Sequence, residues 1–168
     1  MCTVIRTDGT ASGATQHGHC GCASTRAIEE ANSAVVHRLH DLINEGDLDA
    51  LDALFTPDFT GHDTSRRPSA VEDLRTVEDL KTVIRGAREQ FDEHHVVQDL
   101  IASGDRVVVR LDTTGRHRAE AFGTAPTGRP TTMRTIGIYR LTGGLIAERW
   151  VVSDVAGLMT QLDVALPG

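Results

Sequence analysis

The sequence predicts an α+β fold, and three observations carry that reading. Apolar residues recur at three- and four-residue steps up to Phe91, then give way to four runs of alternating pattern. Two of the joins between those runs, Gly104-Asp105 and Gly143-Gly144, have the composition of hairpin turns, so neighbouring strands pair antiparallel. Helices first and a sheet after them give a sheet that curls over the helices. With 168 residues the chain is long enough for one domain with a real core and too short for two.

Composition bounds the partners. The formal net charge of −7 repels a polyanion, and no basic cluster offsets it, so nucleic-acid binding is not expected. No apolar run is long enough to cross a membrane, and no signal peptide opens the chain, which implies a cytoplasmic protein. Residues 1–24, rich in Gly, Thr, Ser and Ala, read as a flexible or extended arm ahead of a folded domain over 25–168. All three cysteines fall in that arm, which argues against a disulfide framework. His17, His19, Cys20 and Cys22 form a set of soft ligands suited to Zn or Cu, although the spacing is poor for a structural zinc site. The rest of the chain calls for no cofactor.

A first helix starts at Thr25, with Ile28, Ala31, Val35, Leu39 and Leu42 as its apolar stripe and Asn44 to Gly46 as its stop. On it, His37 and His40 read as solvated residues. Asp47 caps a second short helix that ends before Pro57, and the segment from Pro57 to Asp63 is a short strand or loop. The tandem copies Val71-Glu-Asp-Leu-Arg-Thr and Val77-Glu-Asp-Leu-Lys-Thr are six residues apart, a step that rotates the second by about 120° on a helix. The second copy starts the third helix, with Val77, Leu80, Ile84, Ala87 and Phe91 as its stripe, and the first is an exposed extension. Strands follow over His95 to Ser103, Arg106 to Gly115, Thr131 to Leu141 and Leu145 to Ser153. His94, His95 and His117 lie near strand ends, where solvated or capping roles are common. A short helix from Val155 closes the chain.

The last strand carries the candidate chemistry. Counted with period two, Ile146, Trp150, Val152 and Asp154 share one face. Because Trp150 is the sole tryptophan, that face is expected to look inward, which would desolvate Asp154 and raise its pKa toward that of a general base. The alternative is that Asp154 is the N-cap of the closing helix.

The segments Asn44 to Asp63, Asp99 to Arg110, Gly123 to Arg129 and Ile146 to Leu158 together resemble the SnoaL-like polyketide cyclases, or ester cyclases, of the nuclear transport factor 2-like superfamily. The resemblance implies a cone of curved sheet closed by three helices, an apolar cavity inside it, and a homodimer formed through the sheet. It further implies a cofactor-independent cyclase that closes a ring of a hydrophobic small molecule by intramolecular aldol condensation. Asp154 would be the acid/base and His62 a hydrogen-bond donor, with Trp150, Val152, Phe59 and Phe91 lining the substrate. Two other functions fit the same fold. One is an epoxide hydrolase or isomerase relay using Arg110 and Asp112 with Asp154, although Val107, Val109 and Leu111 turn Arg110 and Asp112 outward. The other is a ligand-binding protein without catalysis.

Overall fold

A computed structural model describes residues 20–63 and 73–166, with side chains from Ser24 onward. Helix α1 spans Cys20–Glu45 and so begins five residues before the expected start, inside the predicted arm. Its buried face is Asn32, Val36, Leu39, His40, Leu42 and Ile43, which keeps Leu39 and Leu42 of the expected stripe, while Ile28 is 54% exposed. The stripe is rotated from the apolar count because two polar members find partners inside. Asn32 donates to the carbonyl of Gly104 at 3.0 Å, and His40 meets another histidine. Gly46, at φ 77°, ends the helix in the left-handed conformation that glycine tolerates.

A 3-10 segment, Asp49–Leu54, follows, with the Asp47 carboxylate accepting from the Ala50 N–H at 3.2 Å. Strand β1 is Phe55–Asp63 and helix α2 is Val77–Phe91. Thr76 and Asp79 cap α2 reciprocally, at 3.1 and 2.9 Å. The second copy of the duplication is therefore helical, as expected. Of the described residues of the first copy, Asp73, Arg75 and Thr76 are exposed as expected, but Leu74 is buried and exchanges two backbone hydrogen bonds with Gly61, at 2.8 and 2.7 Å. Gly61 allows this approach, since a Cβ there would press on Phe59, Arg149 and Leu74.

Strands β2 (His94–Ser103), β3 (Arg106–Arg116), β4 (Pro130–Thr142) and β5 (Leu145–Ser153) lead to α3 (Val155–Gln161). One curved sheet forms in the order β1-β5-β4-β3-β2, antiparallel except where β1 runs parallel to β5. Gly143 and Gly144, both at positive φ, make the β4–β5 turn between Thr142 and Leu145. The concave face carries Val107, Val109, Leu111, Tyr139 and Leu141 and packs on α1, the 3-10 segment and α2 to form the main core. Phe91, Ala121, Leu158 and Leu162 form a second, smaller cluster under α3.

The expected orientation of β5 is reversed in its second half. Arg140 pairs with Glu148 but Leu141 pairs with Ile146, so Ala147 is an extra residue on β5. A bulge of this kind shifts the alternation by one. Ile146 faces the core, and beyond the bulge Arg149 and Val151 do so, while Trp150, Val152 and Asp154 lie on the outer, convex face. Val152 is 61% exposed.

Among the described residues no helix is long and apolar enough to cross a membrane.

Candidate functional site

The concave face holds a belt of polar groups among the apolar core residues. His40, from the C-terminal half of α1, places its Nδ1 3.0 Å from Nδ1 of His95 on β2. The rings are tilted by 54°, and Tyr139 on β4 meets His40 edge-on at 6.2 Å between centroids. One turn further along α1, the Asn44 amide accepts from the His95 N–H at 2.7 Å and donates to the His95 carbonyl at 2.9 Å. It does what a neighbouring strand would do, and so fixes the start of β2 against the helix.

The charge states follow from burial. Burial, then His95 and Arg149, hold the His40 imidazole down to about 3. Burial and Arg149 hold His95 at about 4. Both rings are therefore neutral near pH 7, and between two neutral rings one Nδ1 donates and the other accepts. Nε2 of His40 is buried with no hydrogen-bond partner. Arg149, 8% exposed on β5, pairs with Asp63 at the end of β1 at 3.6 Å, and its Nε is likewise without a partner. Burial also pushes up the Tyr139 phenol. At the junction of α2 and β2, burial pushes the Glu93 carboxyl up to about 7, only partly countered by the Arg88 guanidinium.

Such an arrangement suits polarisation of an oxygen rather than strong-base chemistry at the histidines. A neutral imidazole whose Nδ1 accepts from its neighbour carries its proton on Nε2 and can donate it as a hydrogen bond. The Asp63 carboxylate, held beside the buried Arg149 guanidinium, is a carboxylate of the belt that could accept a proton.

The residues singled out from the sequence do not converge. Phe59 lies in the main core and Phe91 in the smaller cluster, both on the concave side, whereas Trp150 and Val152 lie on the other side of the sheet. The four cannot line one cavity. His62 pairs with Trp150 across β1 and β5 and stacks on its ring at 5.5 Å. Trp150 and Asp154 are separated by about 13 Å of strand, so His62 and Asp154 do not meet on one reacting atom. Asp154 is exposed and caps α3, accepting from the Gly157 N–H at 2.8 Å, the arrangement expected of an N-cap. Arg110 and Asp112 face outward, as the apolar face of β3 implied, and Arg110 is held by Asp99 at 2.6 Å. With Arg134, Ile136, Val152 and Asp154 they line a shallow groove of about 320 Å³ on the convex face.

His17 and His19 lie outside the described residues, as do the side chains of Cys20 and Cys22, which open α1. Among the described residues no group of three or more potential ligands could hold a metal.

The interior groups were missed for identifiable reasons. His40 stands one residue from Leu39 and four from Val36, both core residues, so it occupied the buried face once the stripe was rotated. A period-two count that turns Trp150 inward turns its neighbour Arg149 outward, and the bulge at Ala147 reverses both.

A curved sheet wrapped over helices, with buried titratable groups on its concave face, defines a cone-shaped α+β protein of the nuclear transport factor 2-like class. The chain belongs to the SnoaL-like polyketide cyclase family, whose model matches residues 33–162. Among solved structures it resembles IdmH, a proposed polyketide cyclase from Streptomyces antibioticus. Identity there is 32% over 79% of this chain and 99% of that one, with a TM-score of 0.72. A proposed SnoaL-like polyketide cyclase from Jannaschia sp. CCS1 is 25% identical over 83% of this chain and 96% of that one, at a TM-score of 0.71. AclR, a proposed hydroxylase from Streptomyces galilaeus, is 23% identical over 83% and 89%, at 0.72, and shares the fold. No curated protein matches the chain.

Proposed function

We propose that the protein is a cofactor-independent, polyketide-type cyclase that closes a ring of an apolar small molecule by intramolecular aldol condensation, with its acid/base groups on the concave face. The observation that carries this reading is that two of the four buried side-chain atoms without a partner among the described residues, His40 Nε2 and Arg149 Nε, belong to the polar belt of the concave face, the others being Thr56 Oγ1 and His117 Nε2. Buried polar atoms without partners are costly, and a substrate oxygen would satisfy them.

In this mechanism the Asp63 carboxylate removes a proton from a carbon flanked by carbonyls. The carbanion delocalises onto oxygen as an enolate, which accepts a hydrogen bond from His40 Nε2–H. The enolate carbon attacks the second carbonyl of the same chain, and the new alkoxide takes the proton back from Asp63. His95 Nδ1–H donates to His40 Nδ1 and so sets its tautomer, while Arg149 orients Asp63. Confinement in the cone lowers the entropic barrier to ring closure, a contribution of at most about 7 to 11 kcal/mol. The test is ring closure of a linear aromatic polyketide ester, followed by absorbance and mass. Wild type should turn over, and His40→Leu should lose about 10²-fold in kcat with a smaller change in KM. Equal rates in both would remove His40 from the mechanism.

A second reading keeps Asp154 as the acid/base, without His62, and joins it with Arg110 and Asp112 in a hydrolytic relay. The convex groove that gathers Arg110, Asp112 and Asp154 favours it. Arg110→Ala would cripple the relay and leave the concave mechanism intact. A protein that binds the ester without turnover would be a carrier on the same fold. The exposed Ile136, Ile138 and Val152 on the convex face are the surface on which we place a second copy of this chain, giving a homodimer through the sheet.

A further inference from the structure

His62 is the centre of a second polar constellation, on the convex side of the sheet and apart from the belt. Its Nδ1 lies 2.7 Å from Asp73 Oδ1 and its Nε2 3.1 Å from Glu148 Oε1. A neutral imidazole has one N–H and can donate to one carboxylate, whereas an imidazolium donates to both. The ring also stacks on Trp150, at 5.5 Å and 21° between planes. From β4, Arg140 donates to the other Glu148 oxygen at 3.0 Å, and from β3, Arg106 lies 5.3 Å from the Trp150 ring centre. Asp73 is the residue before Leu74, whose two hydrogen bonds to Gly61 seat this short segment against β1 and deliver the chain to the Thr76 cap of α2.

We propose that protonated His62 is a pH-dependent clasp, joining Asp73 to Glu148 and thereby holding the segment Asp73–Thr76 and the start of α2 against the edge of the sheet. The geometry sets the charge state that closes the clasp. A proton on both nitrogens satisfies both carboxylates, and loss of one leaves a lone pair facing a carboxylate oxygen. The hydrogen bond to Asp73 leads in raising the His62 pKa above 6.5, with Glu148 adding to it and burial working against it. The sign follows from linkage: a group whose folded pKa is raised contributes its stabilisation fully below the unfolded value of 6.5 and loses it as pH rises through the folded value. The clasp is closed at mildly acidic pH and opens as pH rises through the folded value, which lies above 6.5. Against the opposing effect of burial, the hydrogen bonds from His62 and from Arg140 hold the Glu148 carboxyl below its ordinary value, so the switching proton is that of His62.

The test uses the full chain, whose single tryptophan is Trp150. An imidazolium stacked on indole quenches its fluorescence, and a neutral imidazole does so weakly. Between pH 5.5 and 9 the wild-type emission should rise with a midpoint above 6.5, and Asp73→Asn should move that midpoint down. His62→Gln should abolish the transition. In parallel, the exchange protection of the Leu74 amide, corrected for the intrinsic pH dependence of exchange, should fall about 10-fold across the transition in wild type and stay flat in His62→Gln. A wild-type emission midpoint at or below 6.5 would overturn the clasp. So would Leu74 protection that does not change with pH, even if the fluorescence transition is present.

Discussion

Glu93 is a carboxyl pushed up to about 7 by burial, with only Arg88 to offset it. Its folded pKa lies above the ordinary 4.5, so the folded state binds this proton more tightly than the unfolded chain does. The contribution is fully present below 4.5 and is lost as pH rises through 7. At 1.36 kcal/mol per unit the shift corresponds to about 3 kcal/mol, and partial solvent contact trims it to about 2. Glutamine has the shape of the protonated acid and does not ionise. Glu93→Gln should therefore be nearly neutral at pH 4.5 and stabilise the protein by about 2 kcal/mol at pH 8. Urea unfolding of both proteins at the two pH values measures this, and because the comparison is a difference, other titrating groups cancel. A mutant-to-wild-type difference that is the same at both pH values would mean that Glu93 does not bind its proton more tightly in the folded state.

The paired histidines act in the opposite direction. With folded values of about 3 for His40 and about 4 for His95, stability is full above 6.5 and lost as pH falls toward those values, and His40→Leu should flatten the acid limb of the urea-measured stability profile. Asp154→Ala should cost about 1 kcal/mol through loss of the α3 cap, and Asp154→Asn should cost far less because asparagine caps equally well. Val152→Glu, placed on the convex face, should abolish the homodimer we propose, giving a monomer in sedimentation velocity with little change in the circular dichroism spectrum.

The four strands after Phe91 were legible because each runs between turn-forming residues, with Gly104 and the Gly143-Gly144 pair setting the register of their hairpins. Alternation within a strand was legible only as far as the strand stays regular. On β3, which has no bulge against β4, the inward set Val107, Val109 and Leu111 was read correctly. On β5 one extra residue at Ala147 exchanged the two faces, and with them the setting of Asp154, Trp150 and Arg149. Nothing in the local composition marks a bulge opposite Leu141. The buried face of α1 was misread for a different reason: Asn32 and His40 are polar by type and enter the interior because Gly104 and His95, 72 and 55 residues away, supply partners. Pairs so distant in sequence leave no periodic trace. The same holds for Leu74, whose burial depends on its pairing with Gly61.

We place the proposed acid/base on the concave face, at Asp63, and not at the exposed helix cap. The most direct measurement is the rate of ring closure on a linear aromatic polyketide ester for Asp63→Asn and Asp154→Asn side by side, each checked for folding by thermal unfolding. Asp63→Asn should lose at least about 10²-fold in kcat while remaining folded, and Asp154→Asn should stay within about threefold of wild type. Loss of turnover in Asp154→Asn with Asp63→Asn still active would contradict it, and would put the chemistry in the groove on the convex face.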